Sequence, residues 1–302
     1  MHLRAATRGS ALARWQTDHV ASLLGTAHDV EAVVVQTTGD RRADTPIWEM
    51  GGKGVFVKEV QTAVLEGRAD FAVHSGKDLP SEAVSAFGHA GGEGLIIAAV
   101  PERADPRDVL VGSRLDDLPA GGVVATGSAR RRAQLASLRP DLTFTELRGN
   151  IDTRLRRVPR GGAAVMAVAA LDRLGLTEHV AEVLEPSVML PQVAQGALVV
   201  ECRAGDERVL ETLAAIEHEP SRRAVDAERA YLARLGGGCD LPAGAYATIG
   251  DDGSVSLEAL LASLDGHIVL RAAHHGDDPA GVGAELAEHL LERCGGAWLL
   301  AG

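Results

Sequence analysis

Short apolar runs alternate with amphipathic stretches along most of the chain. Runs with the length and composition of buried strands occupy 3–7, 32–37, 70–75, 94–100, 122–126, 163–168 and 197–202. Elsewhere apolar residues recur at helical spacing, which predicts helices at 10–24, 53–66, 128–138, 150–158, 206–217, 220–235 and 280–293. Strands and helices that alternate in this way indicate α/β layers with largely parallel sheets.

The pattern changes after about residue 217. A helix there leads into the glycine-rich segment GGGCDLPAG (236–244), and runs at 246–249, 254–263 and 267–273 are typical of an antiparallel meander. Two proline-containing segments, 101–108 and 184–192, are candidate crossings between domains. The sequence therefore predicts an α/β protein of several domains, the last of them a small α/β unit.

The charge of the chain is unevenly spread. Its 302 residues are 46% hydrophobic and 24% charged, as in ordinary globular proteins, and the net charge is −12. Residues 126–160 nevertheless hold nine arginines against three acidic residues, a local net charge of +6. This basic segment indicates a local site for a small anion. Overall acidity and an aromatic content of only 3% argue against a nucleic-acid-coating protein.

Cysteine use and the N-terminal sequence bear on the compartment. Cys202, Cys239 and Cys294 form no CxxC motif, and the eleven histidines form no HExxH-type cluster, so we expect no metal site. Nothing at the N-terminus resembles a signal peptide, and no apolar run approaches the length of a membrane span. We therefore expect a cytoplasmic protein without membrane insertion.

Two places share one local design, in which a strand, a short loop and a helix follow each other. Ser10 can cap the first helix beside Arg8, and Ser128 can cap the second before Arg130 and Arg131. Simple capping and solvent-exposed arginines would explain either place alone. Because helix N-termini and arginines bind carboxylates and phosphates, their occurrence in separate halves indicates a cleft that grips a poly-anion.

The segment VHSGKDLPS (73–81) places Lys77 and Asp78 at the carboxyl end of a strand, where α/β sheets bind ligands. A carboxylate beside a lysine can stay ionised, stabilise a developing cation and move a proton. The alternative is that Asp78 only caps a turn before Pro80. Farther along, Cys239 lies in the glycine-rich loop, and an isolated thiol on such a loop indicates a nucleophile or an attachment point.

Taken together, these stretches resemble the hydroxymethylbilane synthase family, whose members are also called porphobilinogen deaminases. The matching segments run in order along nearly the whole chain: 6–16, 51–81, 102–111, 125–142, 147–155, 171–176, 190–203 and 227–247. The resemblance implies an α/β fold of three domains, with two lobes like those of periplasmic binding proteins and a small α/β C-terminal domain. The expected boundaries are 1–96 plus 194–216 for lobe 1, 97–193 for lobe 2 and 217–302 for the C-terminal domain.

The resemblance also implies a reaction. Family members are transferases that join four porphobilinogen molecules head to tail with release of ammonia, and hydrolysis then frees hydroxymethylbilane for tetrapyrrole and haem biosynthesis. A dipyrromethane cofactor, bound through a thioether, primes the chain, and the matching cysteine is Cys239. The implied partner is the small-molecule substrate, and the implied oligomeric state is a monomer.

By motif match, Asp78 corresponds to the family's catalytic aspartate, which would contact pyrrole N–H groups, assist ammonia loss and stabilise the cationic methylene-pyrrole electrophile. The residues implied to bind substrate and cofactor are Arg8, Ser10, Lys53, Phe56, Ser75, Lys77, Thr126, Ser128, Arg130, Arg131, Arg148, Arg154, Arg173 and Gln195. Four positions depart from the family pattern. Gly76 replaces a larger residue, Gly127 and Ala129 stand where Ser and Leu are common, and Glu49 stands where some members have a basic residue.

Two other functional classes stay open on the sequence alone. A non-enzymatic binding protein would share the two lobes, but the N-terminal sequence and the loop cysteine disfavour it. A nucleic-acid-binding module built on 126–160 is disfavoured by the few aromatic residues and the net negative charge.

Overall fold

The computed structural model describes residues 1–37, 57–80, 94–237 and 241–300. Its strands are β1 (His2–Arg8), β2 (Asp29–Val35), β3 (Phe71–Ser75), β4 (Leu95–Ala99), β5 (Asp108–Gly112), β6 (Val123–Ala125), β7 (Thr143–Thr145), β8 (Ala163–Ala167), β9 (Val180–Leu184), β10 (Leu198–Arg203), β11 (Ala243–Ile249), β12 (Val255–Ala262) and β13 (Val269–Gly276).

The α-helices of the described residues are α1 (Ala11–Leu24), α2 (Lys58–Leu65), α3 (Ala129–Leu138), α4 (Ile151–Arg156), α5 (Val168–Arg173), α6 (Glu207–Ala214), α7 (Glu219–Leu235) and α8 (Pro279–Glu288). Short 3₁₀ turns occupy Gly76–Asp78, Thr177–His179 and Gly296–Leu300, and a π turn at His289–Arg293 continues α8. Within these ranges, none of the helices combines the length and the apolar character that crossing a bilayer requires.

Two five-stranded sheets have the same arrangement. Their orders are β2-β1-β3-β10-β4 and β7-β6-β8-β5-β9. In each sheet the first three strands are parallel, the fourth is antiparallel to them, and the fifth is antiparallel to the fourth. The antiparallel strand, β10 or β5, is the one that the chain enters directly from the other sheet, through 185–197 or 100–107. Two lobes of one topology are thus joined by two crossings.

The third sheet is the meander β11-β12-β13, which packs against α7 and α8. The predicted fold class, with two similar lobes and a small α/β unit at the end, is confirmed. The apolar pattern did not reveal β5, β7 and β9. The outer strands β7 and β9 are mostly exposed or half-buried, and β5 is only five residues long and begins with a buried aspartate.

Central strands are apolar on both faces because helices or neighbouring units cover both sides of each sheet. All five residues of β8 are buried, as are five of the six in β10. Cys202 lies fully buried in β10, as expected for a structural cysteine. Burial raises the pKa of its thiol to about 11, so this thiol stays protonated and unreactive at neutral pH.

The C-terminal unit contacts both lobes. On the lobe 1 side, the Arg229 Nη1 of α7 donates to the Leu79 oxygen over 3.2 Å. On the lobe 2 side, Ala133 and Leu190 form one apolar cluster with Leu260 and Ala262 of β12. The meander and its helices therefore act as a common support for the two lobes.

Gly283 lies where α8 packs against α7. A Cβ at this position would overlap the backbone oxygen of Ala227, which cannot move without displacing α7. We expect Gly283→Ala to lower the free energy of unfolding by about 1–3 kcal/mol through overpacking, although alanine ordinarily favours a helix. Urea denaturation would measure the change. Gly205→Ala is the control, because nothing lies within 4 Å of a Cβ there. A Gly283→Ala variant as stable as the wild type would contradict this packing.

Candidate active site

Lys77 and Asp78 lie on the 3₁₀ turn that directly follows β3. The last residue of that strand, Ser75, accepts a 2.8 Å hydrogen bond from the Gln16 amide on α1. Arg8, Ser10, Ser75 and Asp78 line one cavity at this edge of lobe 1. As the sequence predicts, Lys77 and Asp78 follow the carboxyl end of a strand, and the structure places the exposed Asp78 carboxylate beside the N-terminus of α1.

The departure at Gly76 has a local structural reason. A Cβ at this position would lie 3.0 Å from the Cβ of Ala194 and 3.2 Å from the Ala194 oxygen. Ala194 itself has a φ of 56°, in the left-handed region that alanine rarely occupies. The return crossing thus presses against the 3₁₀ turn, and a side chain larger than hydrogen at 76 would push the two apart.

A buried carboxylate, Asp108, organises the opposite side of the site. It has no exposed surface and accepts bonds from the Arg131 Nε and Nη2 over 3.1 and 2.7 Å. The Arg130 Nη2 lies 2.8 Å from its other oxygen. Burial alone would raise the pKa of Asp108, but the charges of Arg130 and Arg131 outweigh it and hold that pKa well below its usual range.

Gln195 connects this carboxylate to lobe 1. Its Nε2 donates to Asp108 over 2.8 Å, and its Oε1 accepts from the Lys77 Nζ over 3.2 Å. Burial lowers the pKa of Lys77 to about 8, and the charge of Arg131 adds to this effect. Lys77 is therefore close enough to the arginines of lobe 2 for their charges to affect its protonation.

Helix α4 brings a further cation to the same place. Asn150 caps this helix, and the Arg154 Nε donates to the Gly149 oxygen over 2.8 Å. Burial and the charge of Arg131 together lower the pKa of Arg154 to about 10, against the opposing charge of Asp78. Arg148 lies 3.4 Å from Glu146 in an ion pair. Arg154 and Asp78, from opposite lobes, are thus electrostatic neighbours.

Arg173, at the end of α5, lies buried between the lobes. Its Nη2 donates to the Gly196 oxygen over 2.7 Å, and its guanidinium lies 5.5 Å from the centre of the Trp15 ring. Burial lowers the pKa of Arg173 to about 10. The side chain therefore joins α1 of lobe 1 to the return crossing.

The two predicted helix caps are present. The Ser10 hydroxyl accepts from the N–H of Ala13 over 3.2 Å, and the Ser128 hydroxyl accepts from the N–H of Arg131 over 3.4 Å. Thr126 in turn accepts from the N–H of Ser128 over 3.2 Å. A capping hydroxyl still carries a hydrogen that it can donate to an anion. Capping and anion binding are thus compatible at both places.

Four of the positions singled out from the sequence lie outside the described residues: Lys53, Phe56, Cys239 and Glu49. The structure also adds two residues that the sequence did not single out, Asp108 and Gln16. Asp108 stands in the matched segment 102–111, but its arginine partners follow more than 20 positions later, so spacing gave no signal. Among the described residues, no cluster of three His, Cys, Asp or Glu side chains is arranged to hold a metal ion.

The fold and the site define a two-lobed α/β protein whose lobes bring buried cations and the exposed carboxylate of Asp78 close together. Comparison with protein-family models gives two matches that together cover most of the chain. Residues 3–211 match the model described as "Porphobilinogen deaminase, dipyromethane cofactor binding domain", and residues 223–292 match its C-terminal domain. The chain belongs to the porphobilinogen deaminase family.

Curated relatives agree over nearly the full length. A porphobilinogen deaminase of Roseiflexus castenholzii is 47% identical over 98% of this chain and 97% of the relative. One of Brevibacillus brevis is 42% identical over 96% of this chain and 94% of the relative. The expected transferase class, the reaction of tetrapyrrole biosynthesis and the dipyrromethane cofactor are confirmed by this membership.

Solved structures give more distant similarities. Lipoprotein Tp32 of Treponema pallidum has a TM-score of 0.43 and 14% identity, over 71% of this chain and 90% of that one. A putative methionine-binding lipoprotein of Bacillus subtilis has a TM-score of 0.41 and 14% identity, over 72% and 90% of the two chains.

We expect Lys77 to titrate at about pH 8 because burial and the charge of Arg131 disfavour its cationic form. The chain has three lysines, so reductive ¹³C-methylation yields three dimethyl-lysine signals that nuclear magnetic resonance can follow against pH. Lys77→Arg identifies the signal by its loss. A Lys77 midpoint near the ordinary lysine value of about 10.4 would show that the amine is not held as described.

Proposed function

We propose that the condensation of four porphobilinogen molecules takes place beside Asp78, in the cleft where the two lobes meet. One observation carries this proposal: Asp78 is exposed, while cations of both lobes, Lys77, Arg131 and Arg154, act electrostatically on one another around it. An anionic substrate with a reacting cationic centre needs this combination of charges.

The cationic side chains suit the carboxylates of the substrate. Porphobilinogen carries acetate and propionate groups, so each added ring brings two negative charges. Arginine binds a carboxylate through two parallel N–H bonds, and lysine binds it as a point charge. We assign carboxylate binding to Lys77, Arg131, Arg148, Arg154 and Arg173.

The same cations fit the dipyrromethane cofactor, whose side chains are also acetates and propionates. When bound through Cys239, the cofactor supplies the free pyrrole α-carbon at which the chain grows. The protein's own residues hold the carboxylates and screen their mutual repulsion. Arg8, Ser10, Ser75, Thr126, Ser128, Arg130 and Gln195 complete the proposed binding surface, together with Lys53 and Phe56, which lie outside the described residues.

Asp78 acts on the incoming porphobilinogen. Its carboxylate accepts hydrogen bonds from the pyrrole N–H. The aminomethyl nitrogen leaves from its protonated form: the bond between the methylene carbon and the ammonium nitrogen breaks, the electron pair leaves with nitrogen as neutral ammonia, and the positive charge passes to the methylene-pyrrole. A fixed carboxylate stabilises that charge and can accept a proton afterwards. The neighbouring cations hold the substrate carboxylates and so orient the pyrrole toward Asp78.

We further propose that lobe 1 comprises 1–96 and 194–216, lobe 2 comprises 97–193, and the cofactor-bearing domain comprises 217–302. The crossing 185–197 contains the boundary at 193/194, and the boundary at 96/97 lies within β4, three residues before the crossing 100–107. A cytoplasmic monomer that does not bind nucleic acid is part of the proposal. The net charge of −12 and the aromatic content of only 3% disfavour nucleic-acid binding.

Cys239→Ser should prevent cofactor attachment, because a hydroxyl is far less nucleophilic than a thiolate. Denatured mass spectrometry of the wild type should give the sequence mass plus one dipyrromethane, and the variant should lack that increment. Cys294→Ser is the control, since Cys294 is exposed and lies on another segment. An unmodified wild-type mass from a porphyrin-producing host would contradict the assignment.

Asp78→Asn keeps the shape of the side chain and removes its charge. We expect the rate of porphobilinogen consumption by the holoenzyme to fall by about 10²–10⁴-fold, because a neutral amide neither stabilises the cation nor accepts a proton. Aldehyde-reagent colour would follow the product, and circular dichroism would check the fold. Asp251→Asn, on an exposed turn, should keep the wild-type rate. A nearly full rate for Asp78→Asn would remove Asp78 from this role.

A further inference from the structure

Asp108 lies where the first crossing enters lobe 2, as the first residue of β5. Its side chain is fully buried and contacts the Arg130 Nη2 over 2.8 Å and the Arg131 Nη2 over 2.7 Å. The amide of Gln195 donates to the same carboxylate over 2.8 Å. One carboxylate thus gathers three side chains that belong to the proposed binding surface.

The arrangement leaves donors for a ligand. Asp108 takes the Nε and one Nη2 hydrogen of Arg131, and the Val165 oxygen takes one at Nη1 over 3.0 Å. Among the contacts of the described residues, two of the five N–H groups of Arg131 therefore stay available for a substrate carboxylate. The Arg130 Nη1 is occupied by the Leu190 oxygen over 2.6 Å.

Asp108 also balances the charge of the cations around it. Arg130, Arg131 and Lys77 place three cations near one point, where burial makes each of them costly. Asp108 is the buried anion among them, and Gln195 connects it to Lys77. Without this anion the three cations would repel one another, and their side chains would turn toward solvent.

We propose that Asp108 is a positioning residue for the condensation: it fixes Arg131 and Gln195 in place, keeps Lys77 beside them as a cation, and so assembles the carboxylate-binding surface before substrate arrives. This role rests on the proposed function of the cleft. Asp108 touches no substrate itself. It acts through Arg131, which binds the carboxylates, and through Gln195, which holds Lys77.

The charges that face Lys77 make this role measurable. Burial and the charges of Arg131 and Arg154 lower the pKa of Lys77, whereas the charges of Asp78 and Asp108 raise it. Removal of the Asp108 charge should therefore move the Lys77 midpoint below about 8. A side chain that served only to stabilise the fold would lower the thermal midpoint and leave KM for porphobilinogen unchanged.

The test compares Asp108→Asn with Asp105→Asn in the holoenzyme. Asp105 lies on the same crossing but pairs with Arg107, outside the site. We expect Asp108→Asn to raise KM for porphobilinogen by about 10–100-fold with a smaller change in kcat, since misplaced binding groups weaken substrate positioning. The Lys77 signal of the ¹³C-methylated protein should titrate at lower pH. Asp105→Asn should change neither KM nor the Lys77 midpoint.

A second variant guards against misfolding of Asp108→Asn. Asp108→Asn with Arg130→Met removes the buried anion together with the cation that would be left unpaired, so the fold is relieved of an uncompensated charge. The Lys77 midpoint should still be lower than in the wild type because Arg131 remains. An unchanged midpoint in either folded variant, or an unchanged KM in Asp108→Asn, would overturn the proposal. A wild-type enzyme that does not condense porphobilinogen would overturn the proposed function. The Lys77 titration needs no substrate, so it tests the role of Asp108 separately.

Discussion

Cations that are buried close together need an anion among them, and this requirement shapes the junction of the two lobes. Asp108 supplies this anion at the start of β5, where the chain has just crossed from lobe 1. The ionised form of this carboxylate is favoured by two guanidinium groups strongly enough to outweigh burial. The two arginines, Gln195 and Lys77 are arranged around it, so the proposed ligand surface depends on one buried ion cluster.

The C-terminal unit also contacts the turn that carries Asp78. Arg229 of α7 donates to the backbone oxygens of Leu79 and Pro80 over 3.2 and 2.8 Å, directly after Asp78. The preceding residue of the same helix, Glu228, pairs with Arg103 of the first crossing over 2.6 Å. The helix that leads toward Cys239 thus also fixes the Asp78 turn and a crossing.

The sequence predicts most of what depends on local pattern. Alternating strands and helices, the two serine caps and the placement of Lys77 and Asp78 after a buried strand follow from neighbours within a few residues. Asp108 and the outer strands β7 and β9 follow from contacts made across the fold. A buried aspartate looks like any surface aspartate until its partners, more than 20 residues away, are brought beside it.

The double crossing has a consequence for the order in which the chain can fold during synthesis. All strands of the second sheet lie between residues 108 and 184, so that sheet can form as soon as this stretch has left the ribosome. The first sheet must wait, because β10 lies between β3 and β4 and begins only at Leu198. Lobe 1, whose synthesis begins first, is therefore completed after lobe 2.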